Sequence, residues 1–239
     1  MSGSLGNSEL NSALSSGDQP TVSPYHQQPA AMQWDSRTLF NFILTRTQVV
    51  PDGFKVDDMN REAVKALCCY FTDDPAFEAM AADGQSWKLS KGLLLFGNVG
   101  TGKTTLMRAF NKNPRRCYQV VNCRRLSALF AEQGHDMLYR YSSPVPLPTA
   151  ADTFYHRHAG ICFDDLGTEE LKKNYGNQVN VMAEIMLNRY DNQQTPWHHT
   201  HITTNLTAAE IEQYYGTRVK SRMREMFNMI TLDGEDRRR

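Results

Sequence analysis

The stretch LLLFGNVGTGKTT, residues 93–105, decides the fold. Leu93, Leu94, Leu95 and Phe96 read as a short buried strand. Gly97, Asn98, Val99, Gly100, Thr101, Gly102, Lys103, Thr104 and Thr105 follow as a glycine-rich turn that opens a helix. Glycines 97, 100 and 102 let the backbone take positive φ and aim successive N–H groups inward, making a cradle that side chains would block. Lys103 then reaches the β- and γ-phosphates of a nucleoside triphosphate, and Thr104 offers its hydroxyl to Mg²⁺. The positive end of a helix predicted over 103–110 adds to the anion site. The four fixed positions arise by chance in roughly one chain of this length in a hundred, and the strand-then-helix setting lowers that further. The expected ligands are ATP and Mg²⁺.

Beyond this turn the chain alternates strand and helix patterns. A β-rich run spans 118–122, a helix 124–133, a strand closes on Gly160-Ile161-Cys162-Phe163, a helix spans 178–192, and a strand spans 201–204. Such alternation predicts a parallel sheet in an α/β fold. The strand ending at Phe163 delivers Asp164 and Asp165 to its C-terminal edge, where open α/β sheets place ligand-binding groups. Asp164 is expected to hold a water on Mg²⁺. Asp165 is expected to orient or deprotonate the attacking water, with Glu169 or Glu170 as reserve carboxylates. Asn205 ends the next strand, just before a Thr207-Ala208-Ala209-Glu210 capping box. Its amide belongs at the same edge, where it senses the γ-phosphate or the attacking water; in isolation it reads as a turn residue.

Further on, Arg218, Lys220, Arg222 and Arg224 punctuate a helix pattern. One reading is a solvated basic face. The sharper one makes Arg222, with Arg218 as second choice, an arginine finger that completes a neighbouring subunit's site.

At 239 residues, 40% hydrophobic, the chain can bury one α/β core and a small accessory region. Lys plus Arg equals Asp plus Glu at 26 each, so any affinity for nucleic acid must come from local patches and not from net charge. Such a patch is suggested by Arg124, Arg125, Phe130, Tyr139, Arg140 and Tyr141, followed by Pro144, Pro146 and Pro148, a mixture of cations and aromatics that suits single strands. Five cysteines without paired metal spacing suggest reduced thiols and a cytoplasmic protein. No apolar stretch approaches the roughly 20 residues that span a bilayer, so no membrane partner is expected. Residues 1–35 read as a disordered tail, 36–89 as a helical region with helices over 36–47 and 58–71, and 90–239 as the nucleotide core.

Four segments in this order, GNVGTGKTT, ICFDDLGTEE, LNRYDNQQ with HITTNL, and YGTRVKSRMREM, resemble the DnaC/IstB branch of AAA+ ATPases over about residues 90–232. The resemblance implies a five-stranded parallel P-loop sheet of order 5-1-4-3-2, and ATP hydrolysis. It places Asn205 at the first sensor position and Arg222 at the finger position. It also places Asn122 where the family keeps a polar residue that couples partner binding to the catalytic carboxylate. The family contains replicative-helicase loaders and transposase-assisting ATPases, so the implied partners are DNA, single-stranded by preference, and a replicative helicase or transposase. Only seven residues follow the last predicted strand (229–232), which leaves no C-terminal helical lid and leads us to expect ATP-dependent head-to-tail self-association. One departure from the pattern is Asp at 165, where many relatives carry Glu.

Overall fold

Every second side chain of a strand faces the same way, and strand β1 (Gly92–Phe96) uses both faces: Leu93 and Leu95 enter one apolar cluster, Leu94 the other. A strand buried on both sides belongs inside a parallel sheet covered by helices on both faces, and that is the architecture found. The structure, a computed structural model, describes residues 34–45, 55–82, 84–113, 117–143, 160–169, 172–174, 177–192 and 199–237.

Five parallel strands stand in the order β2 (Tyr118–Asn122), β3 (Gly160–Leu166), β6 (Thr200–Thr204), β1 and β7 (Phe227–Thr231). A short antiparallel pair, β4 (Lys172–Asn174) and β5 (Asn177–Val179), stands apart from them. Counting only the five parallel strands along the chain, the order is 2-3-4-1-5, the expected 5-1-4-3-2 seen from the other edge.

One face carries α1 (Ser36–Leu44), α2 (Arg61–Phe71), the short α3 (Ala76–Ala79) and α4 (Lys103–Phe110). Asp35 caps α1 by accepting from the Thr38 N–H at 2.7 Å, and Trp34 packs edge-on against Phe42. α2 buries eight of its eleven residues, from Ala63 to Phe71, and Phe71 stacks between Phe110 and Tyr118. The leading helices therefore direct their apolar faces into the same core as β1 and α4. The opposite face carries α5 (Cys123–Gln133), α6 (His135–Ser142), α7 (Val181–Asp191) and α8 (Ala208–Met226). Met182 and Met186 of α7 lie in this core. α8 opens with the expected capping box between Thr207 and Glu210, and kinks at Gly216, whose φ is 86°.

Arg189 on α7 is 2% exposed and meets no carboxylate among the described residues; it binds backbone and hydroxyl oxygens instead. Its Nε donates to Thr200 Oγ1 at 2.9 Å and its Nη1 to the Tyr141 carbonyl at 2.8 Å, while the guanidinium lies 5.8 Å from the Phe163 ring. Burial draws its pKa down to about 10. Arg189 thus pins α6 and α7 to β6. Arg189→Met would keep the volume but strand those acceptors, and is expected to cost about 2–4 kcal/mol, read as a lower urea midpoint.

His201 is also buried, with Tyr70, Phe71 and Tyr118 around it, and its Nδ1 accepts from the Leu93 N–H at 3.2 Å. This imidazole, at the start of the strand expected over 201–204, is part of the core.

Candidate nucleotide site

The turn after β1 leads directly into α4, whose bounds match the expected 103–110, and Gly102 caps that helix at φ 93°. Gly100 also takes positive φ, at 81°. Gly97 does not. It is required for a different reason: a Cβ there would overlap the carbonyl oxygen of Leu232, which passes against the turn. Lys103, 7% exposed, curls back into the loop and donates to the carbonyls of Gly97 and Asn98, both at 2.7 Å. Asn98 also accepts from the Thr101 hydroxyl at 3.0 Å, Val99 forms the exposed tip, and Thr105 lies in the first turn of α4. An ammonium held inside a glycine turn at a helix N-terminus is a fixed cationic pocket.

Strand β3 extends beyond the expected Phe163, through Asp164 and Asp165 to Leu166. Its register against β6 runs from Phe163 opposite Ile202 to Leu166 opposite Thr204, so β3 carries one extra residue, a β-bulge. Asp165 sits in that bulge at φ 57°, in the left-handed region that Asp tolerates better than most residues. Asp164 is 2% exposed. Its Oδ1 accepts from the Thr104 hydroxyl at 2.9 Å and from the Thr203 hydroxyl at 2.7 Å. Thr203 in turn accepts from the Asp165 N–H at 2.9 Å.

These contacts join three elements. Strand β6 lies between β1 and β3, so the first turn of α4 reaches Asp164 across β6, and Thr203 fills the gap beneath both carboxylate residues. Thr203 carries no signal of this role in the sequence, because a threonine within a strand is ordinary β-propensity. Asn205 follows β6 at the same edge and is exposed. Of the reserve carboxylates, Glu170 lies outside the described residues. Glu169 accepts from the Gly167 N–H at 2.9 Å and from the Tyr215 hydroxyl. Burial and the Glu169 charge push the Tyr215 phenol far above its ordinary range. Glu169 therefore ties the bulge to the α8 kink.

A segment after β7 lies along the glycine turn. Leu232 donates to the Phe96 carbonyl at 2.7 Å, Arg237 donates from its backbone to Gly100 at 3.0 Å, and Asp236 fills the space beside Gly100. The Arg237 guanidinium grips Asp57 at 2.6 and 2.9 Å, which holds that carboxyl below its usual range.

The other predicted residues lie elsewhere. Arg222 on α8 rests over the Tyr190 ring, 3.8 Å from its centroid, and Arg218 is exposed one turn earlier. Asn122 caps α5 by accepting from the Arg124 N–H at 3.0 Å. Of the cation and aromatic group, Arg124, Arg125, Tyr139 and Arg140 are exposed, but Phe130 is buried in the core and cannot stack on a base. Pro144, Pro146 and Pro148 lie outside the described residues. No helix among the described residues is long and apolar enough to cross a membrane.

The sheet order, the glycine turn after β1 and the acidic pair at the end of β3 define a P-loop fold of AAA+ type. Among solved structures, the crystal structure of the DnaC helicase loader is similar at a TM-score of 0.50 and 17% identity, covering 82% of this chain and 99% of that one. Structures of DnaI (TM-score 0.47, 20% identity, 82% of this chain and 93% of that one) and of a DNA replication initiation factor (0.46, 15%, 75% and 47%) also match. No family model matches the sequence, and neither does any curated protein. At 17% identity the likeness to the DnaC helicase loader structure shows the fold alone.

Proposed function

We propose that this chain is an ATP-hydrolysing AAA+ protein that assembles head-to-tail on DNA, single-stranded by preference, and loads or remodels a replicative helicase. One observation carries the reading: Thr104 and Thr203 both donate to the buried Asp164 carboxylate, a hydrogen-bonded junction beside the Lys103 pocket. A hydroxyl and a carboxylate held together next to a fixed ammonium form the donor set that suits Mg²⁺ with a triphosphate.

Lys103 and the N–H groups of 97–105 would hold the phosphates, with Thr104 and Asp164 on the metal side. When bound, Mg²⁺ neutralises charge on the phosphoryl oxygens. Asp165, raised on the bulge, orients the attacking water, and Asn205 at the same edge senses it. Arg222, with Arg218 as alternate, acts on the site of the adjacent subunit, where a guanidinium stabilises developing charge. Arg124, Arg125, Tyr139 and Arg140 supply the exposed DNA-facing group. The similarity to a helicase loader structure supports the choice of partner.

Steady-state ATP hydrolysis measured against protein concentration, with and without single- or double-stranded DNA, tests this reading. Lys103→Ala serves as the blank. Specific activity should rise with concentration and with single-stranded DNA. Activity that stays at the blank under all conditions would remove the ATPase.

A further inference from the structure

We infer that Tyr190 is a positioning residue for Arg222, and that it works by keeping Glu225 away from the arginine. This rests on the reading of Arg222 as a finger acting on the adjacent subunit. Arg222 and Glu225 lie three residues apart on α8, one turn of helix, the spacing at which opposite charges pair across a helix surface. They do not pair here. Tyr190, near the end of α7, stands between them with both of its chemistries in use: the ring lies under the guanidinium, 3.8 Å from Cζ to centroid, and the hydroxyl donates to Glu225 Oε2 at 2.7 Å. Donation to Glu225 is also the main reason the phenol titrates above its ordinary value.

Two residues closer to the kink the arrangement differs. Lys220 is paired with Glu212. Arg222, seated on the ring face and beside the hydroxyl of Tyr190 and not on a carboxylate, keeps its full charge for an anion beyond its own chain. An arginine paired with Glu225 would have to break that pair before it could reach a phosphoryl oxygen. Tyr190 thus provides a seat that releases Arg222 at low cost, and it occupies the competing carboxylate.

The test reads the finger alone. Subunits carrying Lys103→Ala lack the nucleotide pocket but keep the finger, while subunits carrying Arg222→Ala have the converse defect. Mixing the two should restore ATP turnover at interfaces that combine the intact halves. With Tyr190→Phe added to the Lys103→Ala partner, the stacking ring remains but Glu225 is released. Restored turnover should then fall roughly threefold, the scale of a helix-surface ion pair that must be broken. Adding Glu225→Gln to the same partner should bring it back. An effect on packing alone would lower the thermal midpoint of the Tyr190→Phe chain and would not be rescued by Glu225→Gln. Turnover restored by mixing but unchanged by Tyr190→Phe overturns the inference and leaves the finger standing. No restoration on mixing overturns both.

Discussion

Asp164→Asn is expected to lower ATP turnover by about a thousandfold, because the substitution removes the buried negative charge that accepts from the Thr104 hydroxyl while keeping the shape. Both hydrogen bonds to Asp164 are donated to Oδ1, by Thr104 and by Thr203, and an asparagine oxygen can still accept both. The local packing, with Asp164 2% exposed, should therefore survive, and the thermal midpoint should stay near the parent's. What is lost is the affinity of a carboxylate for a divalent cation. Steady-state turnover across a Mg²⁺ titration is the measurement. A variant that hydrolyses ATP within tenfold of the parent at the same Mg²⁺ concentration would sink the metal-side role given to Asp164.

Gly97→Ala is expected to have the largest effect on stability. The added methyl would overlap the Leu232 carbonyl oxygen, and neither partner is the end of a flexible side chain. Leu232 is fixed by its own bond to Phe96 and by β7, which pairs with β1 along its whole length. Relief requires moving a central strand or an edge strand of the sheet, so a cost of about 3 kcal/mol or more is expected. In a domain of this size that is a fall of roughly 10 °C in thermal midpoint. Gly84→Ala is the contrast: nothing lies within 4 Å of a Cβ there, and only its φ of 79° opposes the change. Equal midpoints for the two variants would refute the close approach at Gly97.

The sequence was most legible where chemistry demands a spacing. Gly100, Gly102, Lys103 and Thr104 must stand in that order after an apolar strand, and α4 begins and ends at the expected residues. The parallel sheet followed from alternating patterns, and its order from the family resemblance; both agree with the structure. In the sequence β3 closes at Phe163, because two consecutive aspartates pattern as a loop. Only the tertiary contacts with Thr104 and Thr203 show how a buried carboxylate there is satisfied. Arg189 and Thr203 went unread for a related reason: each acts through a partner more than ten residues away or on another element, and periodicity carries no trace of such pairs. Gly97 was recognised as necessary, but for a backbone angle it does not adopt.

The bulge in β3 also governs which changes of length the chain can tolerate. Between Phe163 and Leu166 the strand spends three steps where β6 spends two, and all the surplus sits at Asp165. Deleting one residue there would not trim a loop; it would restore even spacing to a strand whose two ends are already committed. Either Asp164 would turn away from Thr104, or Leu166, 1% exposed, would be drawn out of the core. Exposed loop tips, by contrast, can gain or lose a residue by adjusting locally. This short stretch has a fixed count, and its parity is as much a part of the site as the carboxylates it carries.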